Sequence, residues 1–226
     1  MATRRTYSSY NDGCASAHAL DLIGERWALI VVRELILGPK RFVDIQRDIP
    51  GIGPGALSRR LQDLEDSGIV VRRSLPRPAA VTLYDLTDWG RELEAVNAAL
   101  SRWAVRSPAL PVEADMSPDT LVLAMRAHAR PASAGEPTRR IALTLTDSRI
   151  AGQEPAGYLA TVGPGGTTVS RQPLPADVDA HVEATTLAWK TLVLGGPPPG
   201  DAAITVSGDA EAVRALVAAT RLEIPG

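Results

Sequence analysis

One cysteine, Cys14, stands in a chain of 226 residues. It excludes an internal disulfide and a multi-cysteine metal site, and it fits a reducing compartment. Long apolar runs are also lacking. The longest, WALIVVRELIL, is interrupted by Arg33 and Glu34 and is too short to cross a bilayer. No apolar stretch of signal-peptide type follows Arg4 and Arg5. These absences lead us to expect a cytoplasmic protein with no membrane partner. Catalytic signatures are missing as well. His18, His128 and His181 are scattered without metal-ligand spacing, and no G-x-S-x-G, P-loop or G-x-G-x-x-G sequence opens a helix in the right context. We therefore expect no catalytic residues, no metal and no cofactor, and read the chain as a non-enzyme.

Overall charge of one sign is lacking too, the net charge being only -2. The distribution is more informative than the total. Residues 1–110 carry 15 Lys and Arg against 13 Asp and Glu, and residues 111–226 carry 9 against 13, so the halves are about +2 and -4. Between Lys40 and Arg77 eight bases meet five acids. Such a local excess suits a surface that faces phosphates.

Prolines and acids concentrate in 107–118, a segment with little apolar periodicity, which is read as a linker between domains at 1–106 and 119–226. Ahead of it, AHALDLIGERWALIVVRELI predicts two helices bent at Gly24, and FVDIQRDI a short third. The stretch GPGALSRRLQDLEDSG then opens on small residues and continues as an amphipathic helix. Its stripe of Leu57, Leu61 and Leu64 must face a core, and Gly68 suits a left-handed cap. IVVRRS and AVTLYDLT are β-prone runs around a proline-rich turn holding Arg77, which predicts a hairpin with a basic tip. After a Thr87-Asp88 cap, Leu93, Val96, Leu100 and Trp103 recur on one helical face, a stripe for the domain's own core or for a second copy.

Three helices followed by a two-stranded hairpin is the element order of a winged helix-turn-helix. The blocks ALDLIGERWALIVVREL, GPKRFVDIQRDIPGI, ALSRRLQDLEDSGIVVR and TLYDLTDWGREL, with Cys14 ahead of them, resemble the HxlR family of bacterial winged-helix transcriptional regulators. The resemblance spans roughly the first 105 residues, judged by motif order. It implies a homodimer on a pseudo-palindromic operator, dimerised through the first and last helices of the domain, so that the dimer seam is Leu93, Val96, Leu100 and Trp103. It also implies a recognition helix from Gly53 to Ser67 and a wing from Val70 to Leu86. At Cys14 it implies a candidate sensor of oxidants or electrophiles, beside the plainer reading of an inert thiol.

Physical reading of the recognition helix adds candidates. Proline suits a first helical turn, and the free amides there, with the helix dipole behind them, favour a phosphate at Gly55. Ser58, Arg59 and Gln62 are the base-contact candidates, Arg59 being suited to a bidentate contact with guanine. Lys40, Arg41, Arg60, Arg72, Arg73 and Arg77 are the further phosphate-contact candidates.

Past the linker, Ser117 and Pro118 open a helix, and RRIALTLTD, YLATVGPGGTTVSR and DAHVEAT read as strands. WKTLVLGGPPPGDAAITVSGDAEAVRAL resembles the carboxy-terminal part of sterol-carrier-protein-like domains. That resemblance implies an α+β domain, a sheet covered by helices around an apolar cavity, with Met125, Trp189 and Leu192 as candidate lining residues. The expected architecture is thus a mainly α winged helix-turn-helix domain followed by an α+β sterol-carrier-like domain. The expected function is that of a dimeric DNA-binding transcriptional regulator modulated by a small hydrophobic effector. The alternative is a carrier of apolar ligands whose winged helix serves only dimerisation.

Overall fold

Leu57, Leu61 and Leu64 are each at most 1% exposed, so the leucine stripe of the sequence does turn inward and seat its helix on a core. The computed structural model describes residues 9–74, 81–196 and 203–222. Among these, the chain forms two compact units that divide between Ala95 and Val96.

The first unit contains α1 (Ala15–Ile23), α2 (Ala28–Leu35), α3 (Phe42–Asp48), α4 (Pro54–Asp66), β1 (Val70–Ser74), β2 (Thr82–Leu86) and α5 (Asp88–Arg91). The bend expected at Gly24 is present between α1 and α2, and Trp27 starts α2 with φ +79°, a left-handed conformation unusual for a bulky residue. A Cβ on Gly24 would sit 2.4 Å from the Leu20 carbonyl oxygen, so the turn demands glycine. α4 closes as the sequence predicts. Gly68 has φ +72°, its amide donates to the Glu65 carbonyl at 3.0 Å, and the Ile69 amide returns to the Leu64 carbonyl at 2.9 Å. β1 and β2 pair antiparallel with Val70 opposite Leu86 and Ser74 opposite Thr82. Thr87 caps α5 by accepting from the Gly90 amide at 3.0 Å. Ile23, Val31, Val32, Leu35, Ile45, Ile69 and Leu86 complete this core. Burial of such a set, at about 25 cal/mol per Å² of apolar area, is what orients α4.

The boundary between units falls inside α6 (Leu93–Ala104) rather than in the proline-rich segment 107–118. Part of that segment is bound down: Ala114 accepts from the Lys190 ammonium, and Asp115 Oδ2 accepts from Thr186 at 3.4 Å. The segment read from the sequence as a linker is thus tied to Thr186 and Lys190 by hydrogen bonds.

The second unit adds α7 (Pro118–Ala127), β3 (Arg139–Thr146), β4 (Ala156–Gly163), β5 (Gly166–Arg171), β6 (Ala180–Thr185), α8 (Thr186–Val193), β7 (Ile204–Gly208) and α9 (Ala210–Thr220). Ser117 caps α7 and Thr185 caps α8, each accepting an amide three residues on. The strands order as β5-β4-β3-β6-β7, with β3 and β6 parallel and the other pairs antiparallel. Alternation decides the faces. Ile141, Leu143, Tyr158, Ala160, Val162 and Val182 are buried, while His181 and Glu183 are exposed. This is a mixed α+β sheet.

Candidate nucleic-acid interface

Gly53 caps α4 without any side-chain hydrogen bond, and Pro54 follows as the first helical residue. Proline has no amide hydrogen, so the Gly55 and Ala56 amides at the mouth of the helix have no capping side chain. A Cβ placed on Gly53 or Gly55 meets nothing within 4 Å, and neither residue has a positive φ. The fold itself therefore does not require glycine at either place. Small size there benefits whatever approaches from outside.

Ser58 and Arg59 lie on the exposed face of α4, opposite the leucines. Arg59 makes no hydrogen bond or ion pair among the described residues, and its guanidinium is open to solvent. Gln62 is exposed, but its amide donates to Asp66 at 2.8 Å along the same helix. Arg60 turns the other way. Its side chain is 14% exposed, with contacts to Asp63 at 3.2 Å and Glu25 at 3.8 Å. Adjacent positions on a helix point about 100° apart, which is why Arg59 and Arg60 have different fates.

On the wing, Arg72 pairs with Glu65 at 3.1 Å and lies over the Tyr84 ring. Arg73 pairs with Asp85 at 3.1 Å and stays well exposed. Arg72 can exchange its partly exposed Glu65 contact for a phosphate at little cost, because surface ion pairs contribute about 0 to 1 kcal/mol, and Arg73 can leave the buried Asp85 because Arg91 still pairs with it. Arg77 lies outside the described residues.

Lys40 requires a correction. Read from the sequence as a phosphate contact, it is buried, with its ammonium 3.0 Å from Glu34 Oε2 and 2.9 Å from Asp48 Oδ2. The flanking charges continue the network: Arg33 to Glu34 at 2.8 Å, Arg47 to Asp48 at 2.9 Å, and Arg47 and Arg41 to Asp44 at 3.0 and 2.6 Å. The backbone of Lys40 also bridges to Tyr84 of β2 through two hydrogen bonds, the amide of each donating to the carbonyl of the other at 3.0 and 2.8 Å. Lys40 is thus committed to joining α2, α3 and the wing. Arg41 remains exposed at the end of the chain of charges, its bond to Asp44 raising the guanidinium pKa further and lowering that of Asp44.

Residues 22–109 match the HxlR-like helix-turn-helix family. The chain is 40% identical over 86 residues to the HTH-type transcriptional regulator YodB of Bacillus subtilis, covering 38% of this chain and 77% of YodB. The chain belongs to the HxlR-like helix-turn-helix family. The uncharacterized HTH-type regulators YvaP and YybR of the same organism are 35% and 32% identical over 86 and 103 residues. Those matches cover 38% and 46% of this chain, and 80% and 82% of the two relatives. All three matches are shorter than half of this chain.

In this HxlR-like chain Cys14 is exposed, immediately before α1. Its sulfur lies 3.0 Å from Ser16 Oγ, and the Ser16 hydroxyl, then the Ala17 and Ser16 amides, draw the thiol pKa below its ordinary value. The sequence held no hint of this because the stabilising groups are a neighbouring hydroxyl and backbone amides, not a His or Lys.

On α6, Val96, Leu100 and Trp103 are 40%, 44% and 70% exposed, and Leu93 is partly buried. The stripe is therefore an apolar face that the chain's own packing leaves open. Of the three residues expected to line an apolar cavity, two pack directly on each other. Met125 and Trp189 are fully buried, and the Trp189 indole donates to the Met125 sulfur at 3.3 Å, so they fill each other's space as core. Leu192 is partly exposed on α8. Among the described residues no cluster of three His, Cys, Asp or Glu side chains could hold a metal, and no helix is long and apolar enough to cross a membrane.

Proposed function

We propose that this HxlR-like chain is a dimeric transcriptional regulator that inserts the amino-terminal end of α4 from each copy into the major groove of a pseudo-palindromic operator. The single observation that carries the reading is the bare start of α4. Gly53 and Gly55 open onto empty space beside an exposed Arg59 that has no partner among the described residues. Uncapped amides at a helix start attract a phosphate, and glycine lets the duplex backbone come close. Arg59 then reaches a guanine edge while Ser58 supplies a second polar contact. Gln62 joins them if it releases Asp66. Arg41, Arg72 and Arg73 contribute phosphate contacts, which add affinity but no sequence choice.

The exposed α6 stripe supports dimerisation, since Val96, Leu100 and Trp103 gain most from burial against a second copy. A small molecule held by the second unit alters operator affinity if it prefers one arrangement of the two α4 helices over another.

Fluorescence anisotropy on a genome-derived operator fragment, titrated against salt, tests the reading. A regulator shows sequence preference of at least about a thousandfold over random duplex and a steep fall of affinity with salt. Equal affinity for every duplex, or none, means the helical domain serves only to join copies of an apolar-ligand carrier.

A further inference from the structure

A groove of about 660 Å³ runs along α9 in the second unit, between that helix and the segment that joins α7 to β3. α9 is two-sided. Ala212, Val213, Leu216 and Thr220 are buried in the unit, while Glu211, Arg214, Ala215, Ala218 and Ala219 line the groove at helical spacing. Ala215, Ala218 and Val162 give it an apolar floor, and the Arg130 side chain, also in the lining, donates to the Ala218 and Arg221 carbonyls at 3.2 and 2.9 Å. Two further arginines line it, Arg139, 18% exposed, and Arg214, 65% exposed, so that three arginines face two glutamates, Glu136 and Glu211.

The charges in this groove are unequal in their remaining capacity. Arg214 spends one nitrogen on Glu211 Oε1 at 2.6 Å, and Arg139 spends one on Glu136 Oε2 at 3.1 Å with a longer contact to Asp209 at 4.0 Å. A guanidinium carries five donors, so both keep N–H groups to offer, and the three arginines of the lining outnumber its two carboxylates. Arg214 foremost, with Arg139 beside it, draws the Glu211 carboxyl below its usual pKa. The lining therefore carries an excess of cationic donors beside its apolar floor.

We propose that this groove binds a small amphiphilic carboxylate, its apolar body on Ala215, Ala218 and Val162 and its head on Arg139 and Arg214. The volume falls within the range of ordinary small-molecule sites, and an apolar wall with a few convergent donors is the usual composition of one. The site deepens the effector part of the proposed function and replaces Met125 and Trp189, which pack on each other, as the place where the ligand sits.

The test uses the full chain and three probes with one apolar body, decanoate, decanol and decyltrimethylammonium, by titration calorimetry below their micelle concentrations. Decanoate saturates one site per chain, and the uncharged and cationic probes bind at least about tenfold more weakly, the value of one charge-assisted hydrogen bond. Ala218→Trp fills the floor and Arg214→Glu reverses the rim. Both positions are exposed, circular dichroism checks the fold, and each variant weakens decanoate about tenfold or more. Equal binding of the three probes, or decanoate affinity unchanged in both variants, overturns the site. Operator affinity is measured in the same samples without probe, so loss of the groove site and loss of DNA binding are read separately.

Discussion

Lys40 and Asp48 meet at 2.9 Å inside the first unit, where fewer than a tenth of either side chain is exposed. Glu34 closes the other side of the ammonium at 3.0 Å. A cation held between two carboxylates on α2 and α3 fixes how those helices meet, and its backbone bond to Tyr84 carries the same constraint into the wing. Removing the cation alone leaves two buried carboxylates facing each other. Lys40→Met is expected to destabilise the chain by about 3 kcal/mol or more in urea unfolding. A loss below about 0.5 kcal/mol would mean that Arg33 and Arg47 suffice to compensate Glu34 and Asp48.

Arg59 tests the base-reading end of α4. Arg59→Ala is expected to lower operator affinity and relax one base position by about 1 to 3 kcal/mol, seen by comparing single-base operator variants. If affinity falls equally on all variants and the salt slope drops by about 1, Arg59 contacts a phosphate instead.

Gly55 separates packing from approach. Because its Cβ would meet open space, Gly55→Ala should raise stability by about 0.5 to 1 kcal/mol in urea or thermal unfolding. Gly55→Leu should fold equally well yet bind the operator at least about tenfold more weakly, since the side chain occupies the place of the duplex backbone. Undiminished binding by the leucine variant would show that DNA does not come close to this end.

Trp103 is the most exposed large side chain of the α6 stripe. Trp103→Glu places a charge in the expected seam, and sedimentation velocity should show the dimer giving way to monomer at micromolar concentration. A variant that stays dimeric moves the seam elsewhere.

Cys14 carries a pH prediction. Its folded-state pKa is lowered, so the thiolate persists to a lower pH than in an ordinary exposed thiol, and the alkylation-rate profile with iodoacetamide shifts to lower pH. Ser16→Ala removes the largest cause and should move the profile back upward. A profile identical to that of a free cysteine, or one indifferent to Ser16, counts against a poised thiol.

Periodicity alone was enough to place the leucines of α4 inward, to end that helix at Gly68 and to pair β1 with β2. These features depend on neighbours a few residues apart, where helix and strand geometry leave one solution. Alternation likewise marked strands of the second unit. Tertiary structure decided the rest. Whether a basic residue faces solvent or the interior depends on partners brought from other elements. Lys40 found Glu34 and Asp48, Arg60 folded back toward Glu25, and Arg59 kept its guanidinium uncommitted among the described residues. Met125 and Trp189 come from helices far apart in sequence, and only packing could show that they fill each other's space. A residue's type sets what chemistry it can perform, and the distances set by the whole chain decide which of those chemistries is left to it.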